Sequence, residues 1–287
     1  MSEVSVRSGE FKQNGTTMVP YLSGEIKVRV TQEINKVPVE MEIPVTFFAA
    51  RYTKSGKENP AYRSIQELQT NFVSIASSPN GIDGADRIRI RGAAIRENMF
   101  YGKTGNFVSY PQITASFFNK IGKSECKQEA TFQNVICVAN IKEEVDKNGD
   151  PTGHLILQGV VPQYSGKADL IDFRVCSADA IEHITANWSK GDTVRINGKL
   201  NFSSKTVYEE EATGFGEPIV NTRTISVSEL IVTGGSASGY EGDAALDTSE
   251  VAAALSERQT RMATMKKQAE AKSNPAPKKN DFSNLGF

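Results

Sequence analysis

Three arginines alternate with two isoleucines in the segment Arg87-Ile-Arg-Ile-Arg91. Successive side chains of a strand point to opposite faces, so this alternation predicts Arg87, Arg89 and Arg91 on one face and the isoleucines toward a core. Guanidinium groups on one face repel each other unless anions lie between them, and they bind phosphate oxygens well. With Arg96 on the same segment, the sequence predicts a cationic surface for a polyanion. A solvated strand face balanced by neighbouring glutamates is the alternative.

Aromatic residues follow directly, on both sides of a predicted turn. Between Phe100 and Tyr110, the central Lys-Thr-Gly-Asn sequence is typical of the turn of a β-hairpin. Exposed aromatic rings stack on nucleic-acid bases, whereas in a core they would only pack. Phe100 and Tyr101 cannot both face one groove, because strand neighbours point to opposite sides. The predicted groove residues are Tyr101, Lys103, and Phe107 or Tyr110.

A basic loop with two tyrosines lies upstream, between a predicted strand and a predicted helix. Its Gly56 and Pro60 indicate irregular backbone. A cationic loop of this kind can close over a bound polyanion, although a merely solvated loop explains the same composition. The candidate binding residues of this loop are Arg51, Tyr52, Lys54, Lys57 and Tyr62.

The net charge of −1 over 287 residues conceals regions of opposite sign. Residues 1–127 contain 17 Lys and Arg against 12 Asp and Glu, a net charge of +5. Residues 128–240 contain 9 against 15, a net charge of −6, and residues 241–287 contain 7 of each. The first region is therefore the one expected to meet a polyanion.

Enzyme chemistry has little support in the sequence. There are two histidines, at no metal-ligand spacing, and neither a phosphate-binding nor a dinucleotide-binding glycine motif. The three cysteines form no zinc pattern and are too few for a disulfide-stapled secreted domain. We expect no metal, no cofactor and no catalysis. Without an apolar run of spanning length or a signal peptide, we also expect no membrane contact and a cytoplasmic protein.

Short β-rich runs punctuated by Gly, Pro, Asn and Asp extend from Gly24 to about Thr233 and predict an all-β core. Two helices are predicted to interrupt it. One begins at a capping box, Ser64-Ile-Gln-Glu67, and carries Ile65, Leu68, Phe72 and Ile75; the other follows Ser177.

The order of elements around the two helices is the same. Four pairs of residues share an offset of 106 positions: Asp86 and Asp192, Ile88 and Val194, Ile90 and Ile196, and Gly92 and Gly198. This spacing predicts two tandem units of roughly 100 residues. Strands, one helix, an alternating strand and a hairpin are the order of an OB-fold, a five-stranded Greek-key barrel.

The second unit resembles bacterial single-stranded-DNA-binding proteins through the segment Lys190-Gly-Asp-Thr-Val-Arg-Ile-Asn-Gly-Lys-Leu200, and the first unit resembles them more loosely. The resemblance implies two OB-fold barrels and non-enzymatic protection of single-stranded DNA in replication, recombination or repair. Two barrels in one chain suggest a phage or mobile-element version. The expected organisation is an N-terminal arm (1–23), a basic barrel (24–127), an acidic barrel (128–233) and a flexible tail (234–287). A protein-interaction adaptor of the replication machinery, built on OB-folds, is the alternative.

The tail is predicted to contain a short helix, opened by the capping box Asp247-Thr-Ser-Glu250, followed by a polar, disordered stretch. Its apolar tip resembles the C-terminal peptide by which such DNA-binding proteins recruit replication and recombination partners. A single aspartate stands here in place of an acidic cluster. The partner-binding residues implied by the resemblance are Asp281, Phe282, Leu285 and Phe287.

Overall fold

The computed structural model describes residues 1–13, 15, 17–102, 104–163, 166–211 and 219–273. This part of the chain is mostly β-structure, arranged as two units with few helices. The prediction of a mainly β fold of OB type is confirmed.

In its described residues the first unit contains seven strands and one α-helix. The segment 1–23, expected to be an arm, instead forms an 11-residue strand and the start of an 18-residue partner strand in the main sheet. The elements are β1 (Glu3–Gln13), β2 (Thr17–Ile34), β3 (Val37–Ala50), α1 (Pro60–Asn71), β4 (Arg87–Arg91), β5 (Ala94–Tyr101), β6 (Phe107–Thr114) and β7 (Phe117–Ile121).

Five of these strands form one sheet in the order β1-β2-β3-β6-β5. The β3–β6 pair is parallel, through Val45 opposite Ile113 and Thr46 opposite Thr114, and the other neighbours are antiparallel. Strands β4 and β7 form a separate antiparallel pair. Within the described residues no main-chain ladder joins β1 to β4, so this sheet is an open version of the barrel.

The second unit is a closed barrel, with strands in the order β10-β14-β11-β8-β9. Its β10–β14 pair is parallel, and the helix lies between the third and fourth barrel strands, as in an OB-fold. The elements are β8 (Thr131–Val145), β9 (Pro151–Pro162), β10 (Ala168–Val175), α2 (Ala178–Asn187), β11 (Thr193–Asn201), β12 (Ser204–Glu211), β13 (Ile219–Ser226) and β14 (Glu229–Gly235).

Helix α1 begins earlier than the sequence predicted. Asn59, whose side chain accepts a 3.0 Å hydrogen bond from the Ala61 amide, caps it, and Pro60 opens it. The predicted capping residue, Ser64, lies inside the helix, where its hydroxyl accepts a hydrogen bond from the Phe118 amide at 3.2 Å. Because Ile65 and Leu68 are buried, the predicted core face of the helix is correct for these two residues, but Phe72 and Ile75 lie beyond its end.

The 106-residue repeat is visible in equivalent contacts. The Asp86 carboxylate accepts a hydrogen bond from the Val73 amide after α1, and the Asp192 carboxylate accepts one from the Ser189 amide after α2, both at 2.7 Å. In each unit an aspartate side chain therefore holds the main chain that follows the helix.

A buried glutamine connects the two units through hydrogen bonds. Gln32 at the end of β2 donates to the Leu200 carbonyl at 2.7 Å and accepts from the Ala130 amide at 2.9 Å. The buried apolar side chains of both units also belong to one continuous core. The units therefore share packing as well as hydrogen bonds.

The C-terminal segment forms a longer helix than expected, α3 (Thr248–Ser273), of 26 residues. The predicted cap at its start is present: the Asp247 carboxylate accepts hydrogen bonds from the Ser249 and Glu250 amides. The first half of α3 packs on the second barrel, with Ala254 buried, so this part of the predicted tail is docked.

Candidate nucleic-acid interface

The predicted arginine strand is β4, and its alternation is as expected for Ile88 and Ile90, which pack against the core. Arg89 and Arg91 are exposed on the other face. Arg91 lies opposite Phe117 of β7, a ring that is 45% exposed and that the sequence analysis did not select. This two-stranded surface therefore presents cations beside an aromatic ring.

The Arg87 side chain is bonded to its own turn and does not extend over this surface. Its guanidinium donates to the carbonyl oxygens of Ile82 at 3.0 Å and of Ala85 at 3.1 Å, in the turn that precedes the strand. These bonds fold the side chain back onto its own loop, where it satisfies main-chain acceptors. Arg87 therefore has a structural role in the turn, and the expected row of three equivalent cations is a pair.

The predicted aromatic hairpin is formed by β5 and β6. Tyr101 lies directly opposite Phe107, with ring centroids 5.4 Å apart. Phe100 and Tyr110 meet on the other face at 6.3 Å, and the Asn98 side chain donates to the Tyr110 hydroxyl at 2.7 Å. Of the two partners proposed for Tyr101, the register therefore selects Phe107, and it separates Tyr101 from Tyr110.

The two faces of the hairpin differ in their contacts. Phe100 and Tyr110 on one face and Phe107 on the other are all exposed. The face with Tyr101 and Phe107 also carries Glu97, which contacts the second unit. A cleft of about 240 Å³ lies between the hairpin and the second barrel, bordered by Phe107, Tyr110, Gln158, Leu170, Asp172 and Arg258.

Three aromatic rings that the sequence analysis missed meet on the outer face of β1, β2 and β3. Ring centroids of Tyr21 and Phe48 are 5.2 Å apart, and Phe11 lies 6.0 Å from Tyr21 and 6.1 Å from Phe48. We call Phe11, Tyr21 and Phe48 the aromatic platform. Phe48 is 56% exposed, although large aromatic side chains usually bury most of their surface.

A glycine makes room for the central ring of the aromatic platform. Gly9 on β1 pairs with Tyr21 on β2, and a Cβ at Gly9 would come within 2.7 Å of the Tyr21 ring. The ring therefore lies across the β1 backbone. This arrangement keeps the tyrosine close to the sheet surface, between Phe11 and Phe48.

The predicted basic loop begins beside the aromatic platform. The Arg51 amide donates to the Pro20 carbonyl at 2.8 Å, next to Tyr21, and the Arg51 guanidinium lies 5.5 Å from the ring centre of its neighbour Tyr52. Lys54 and Lys57 are exposed, whereas Tyr62 packs against the core from α1. Four of the five predicted loop residues, Arg51, Tyr52, Lys54 and Lys57, are thus exposed in a loop that starts beside the aromatic platform.

Charges along the same outer face are arranged unevenly. Lys27 pairs with Glu3 at 2.8 Å and Arg29 with Glu40 at 2.5 Å, at the end away from the aromatic platform. Near the platform, Arg7, Arg51, Lys54 and Lys57 have no carboxylate partner among the described residues. The cations beside the aromatic platform and in the loop that follows it are therefore not neutralised by a described carboxylate.

Arg96 is used in a contact between the units. Its guanidinium lies 3.7 Å from the Asp169 carboxylate of β10, which is nearly buried. Burial raises the pKa of Asp169, because the arginines around it only partly compensate the lost hydration. Arg96 is therefore directed toward the second unit, unlike Arg89 and Arg91, but it stays 40% exposed.

The pKa of Glu97, the residue after Arg96, is shifted in the opposite direction from that of Asp169. Its burial favours the neutral carboxyl, but hydrogen bonds from Arg258 and Ser109 outweigh that effect and lower the pKa of Glu97. It is ionised at neutral pH, in contact with the Arg258 guanidinium of α3.

The corresponding outer face of the second barrel is covered. Side chains of α3 and the segment before it, Leu246, Val251, Ala254 and Leu255, lie on Cys137, Val160, Ala168 and Leu170. Further along, Arg174 is held between Glu144 at 2.9 Å and Glu229 at 3.0 Å. Apolar contacts and internal ion pairs occupy this face, where the first unit has exposed rings.

Some predicted residues lie outside the described part of the chain: Lys103 at the hairpin turn and the tail residues Asp281, Phe282, Leu285 and Phe287. Among the described residues, no group of three or more His, Cys, Asp or Glu side chains is placed to hold a metal ion. No helix in the described ranges is long and apolar enough to cross a membrane.

A sequence signal for the aromatic platform exists in retrospect. The run Val45-Thr-Phe-Phe48 looks like a buried strand, but period-2 alternation sends Phe47 inward and leaves Phe48 outside. Gly9 and Tyr21 carry no such signal, because only the register of β1 against β2 places them opposite each other.

Comparisons with known proteins give two kinds of similarity. Two solved structures of the single-stranded DNA binding protein from Thermus aquaticus are similar: a deletion mutant and the wild type, with TM-scores of 0.44 and 0.43 and sequence identities of 9% and 10%. The matches cover 84% and 86% of this chain, and 92% and 94% of those chains. No curated protein sequence matches. Residues 1–268 match the YorF family, and the chain therefore belongs to that family.

Proposed function

We propose that this chain binds single-stranded DNA, without catalysis and with little sequence preference, on the outer face of its first unit. The aromatic platform carries this proposal: three clustered rings, one of them more than half exposed, lie beside cations that lack internal partners. Stacked bases and neutralised phosphates are what such a surface recognises.

The proposed mechanism is protection of the strand. Bases stack on Tyr21 and Phe48, each stacked base contributing roughly 1–3 kcal/mol, while Arg51, Lys54 and Lys57 contact phosphates. Arg89, Arg91 and Phe117 form a second contact surface, and the exposed rings of Phe100 and Tyr110 form a third. A strand whose bases are occupied in this way neither re-forms a duplex nor fits a nuclease.

Replacing Phe48 tests the proposal most directly. Because Phe48 is exposed, Phe48→Ala is expected to leave folding intact and to weaken single-strand binding about tenfold to a hundredfold. The measurement is fluorescence anisotropy with labelled single-stranded and duplex oligonucleotides at two salt concentrations.

Tyr208→Ala is the matched control, since Tyr208 is 69% exposed on the β12–β13 hairpin of the acidic unit. This control is expected to bind like the wild type. Equal binding of duplex and single strand by the wild type, or equal losses in the two variants, would contradict the proposal.

We also propose that this activity serves DNA replication, recombination or repair in the cytoplasm of a bacterium or of a phage-infected host. The support is the resemblance of Lys190–Leu200 to single-stranded-DNA-binding proteins, together with two OB-type units in one chain. In this proposal the tail residues Asp281, Phe282, Leu285 and Phe287 recruit partner proteins. Deleting residues 281–287 is then expected to abolish recruitment of replication proteins in a pull-down while strand affinity stays the same. A large loss of strand affinity would instead place the tip at the DNA.

A further inference from the structure

Helix α3 rests on a small apolar surface of the second barrel and continues past it to the first unit. Its contacts on the barrel include Ala254 and Leu255 against Val160 and Leu170. One turn further on, Arg258 reaches Glu97 on β5, which is 161 residues away in sequence. The helix therefore bridges the second barrel and one strand of the aromatic hairpin.

Glu97 is the point where this bridge meets the hairpin. Its side chain is 1% exposed, and that of Arg258 is 11% exposed. The guanidinium donates twice to the carboxylate, with Nε to Oε2 at 2.6 Å. Such a bidentate pair fixes orientation as well as distance.

The same carboxylate also contacts the other hairpin strand and the second barrel. Its Oε1 accepts a 2.8 Å hydrogen bond from the Ser109 hydroxyl of β6, and its Oε2 accepts a 3.3 Å hydrogen bond from the Leu170 amide of β10. One buried group therefore connects α3, both strands of the hairpin and the second barrel. Along β6, Ser109 lies two residues after Phe107 and directly before Tyr110.

The neighbouring charge pairs are looser. Arg261, one turn after Arg258, lies 4.0 Å from Asp169, and Arg96 lies 3.7 Å from the same carboxylate. These distances are at the limit of an ion pair, and Arg96 is 40% exposed. Arg258 is thus the side chain through which α3 acts on the hairpin.

We propose that Arg258 is a positioning residue: by holding Glu97, α3 fixes the angle of the β5–β6 hairpin, so that the second unit sets single-strand affinity without touching nucleic acid. The proposal rests on the function proposed above for the first unit. It assigns to α3, and to the acidic barrel on which α3 lies, an indirect role in binding.

The test compares Arg258→Ala, Arg258→Gln and Arg258→Lys with Lys266→Ala, an exposed lysine on the same helix, in the full-length protein. Hydrogen exchange in the free protein is measured first. In the alanine and glutamine variants the hairpin amides of residues 97–110 are expected to exchange at least tenfold faster, while β2 and β3 are unchanged. The lysine variant, which keeps the charge, is expected to recover part of the protection.

Anisotropy titrations at several salt concentrations follow. Affinity for a single strand is expected to fall threefold to tenfold in the alanine and glutamine variants at an unchanged salt slope, because no phosphate contact is lost. Lys266→Ala is expected to match the wild type in both measurements.

Several results would overturn the inference. Unchanged hairpin exchange would mean that α3 does not hold the hairpin, and faster exchange throughout the protein would mean that Arg258 only supports global stability. A salt slope smaller by about 0.7 would mean that Arg258 itself contacts a phosphate. If the wild type binds no single strand, the proposed function fails, whereas the exchange data still decide whether Arg258 holds the hairpin.

Discussion

The outer faces of the two units, each built from the first three strands of an OB-type sheet, have opposite properties. On β1–β3 the aromatic platform reaches the surface through Phe48, and the nearby cations lack carboxylate partners in the described structure. On β8–β10 the equivalent area is apolar and lies under α3. The comparison shows that the connectivity of the strands fixes where a surface lies, while a few outward-facing side chains decide what covers it.

Charge follows the same division. The first region carries +5 and the second −6, and on the outer face of β8–β10 Arg174 is paired with two glutamates. The first unit is therefore the one with an excess of cations for an external anion. Four predictions test these differences and the contact between the units, in order of decreasing effect.

The largest effect is expected at the arginine strand. Arg89→Glu together with Arg91→Glu places two negative charges where two cations meet phosphates, and is expected to weaken single-strand binding on the order of a hundredfold and to reduce the salt slope by about 1.4. Salt-dependent anisotropy measures both quantities. Arg195→Glu is the control, because Arg195 is exposed and lies 106 residues after Arg89, in the second unit. An equal loss in the control would mean that both units share the DNA.

A smaller effect, on stability, is expected at the contact between the units. The pKa of Glu97 is lowered in the folded protein, so its contribution is present above the ordinary carboxyl pKa and is lost as the pH falls through the lowered value. Glu97→Gln is therefore expected to reduce the free energy of unfolding by about 2 kcal/mol at pH 7, and by less in acid.

Asp169→Asn is the contrasting variant. The pKa of Asp169 is raised, so its ionised form costs stability above the raised value, and that cost fades as the pH falls toward the ordinary carboxyl pKa. The variant is expected to be as stable as the wild type or more stable, by up to about 1 kcal/mol at pH 7, with a smaller difference in acid. Urea unfolding at pH 7 and pH 4 measures both variants. Shifts of the same sign would contradict the opposite pKa directions.

The smallest effect is expected in the basic loop. Lys54→Ala together with Lys57→Ala removes two flexible, exposed cations and is expected to weaken binding about threefold to tenfold at low salt and hardly at all at high salt. The same titration on Lys266→Ala with Lys267→Ala, two cations on α3, provides the comparison. A loss that persists at high salt would show that the lysines do more than attract phosphates.

The sequence was sufficient for features that depend on local spacing. Alternation in Arg87–Arg91 gave the inward isoleucines, the turn composition gave the β5–β6 hairpin, and the 106-residue offset gave two similar units. The aromatic platform was missed because Phe48 follows Phe47 in a run that is typical of a buried strand. Docking of α3 was missed because it depends on tertiary contacts that no local pattern shows, the apolar ones on the second barrel and the ion pair between Glu97 and Arg258.

The Asp86 and Asp192 carboxylates accept equivalent hydrogen bonds from the main chain after α1 and α2. The chain thus contains two versions of one architecture within a single polypeptide. In a symmetric oligomer of identical one-barrel subunits, every substitution appears in all copies, so each surface must serve every subunit equally. A tandem chain is free of that symmetry. The outer face of one unit can change while that of the other stays the same. Every molecule then contains one unit of each kind, in a fixed one-to-one ratio.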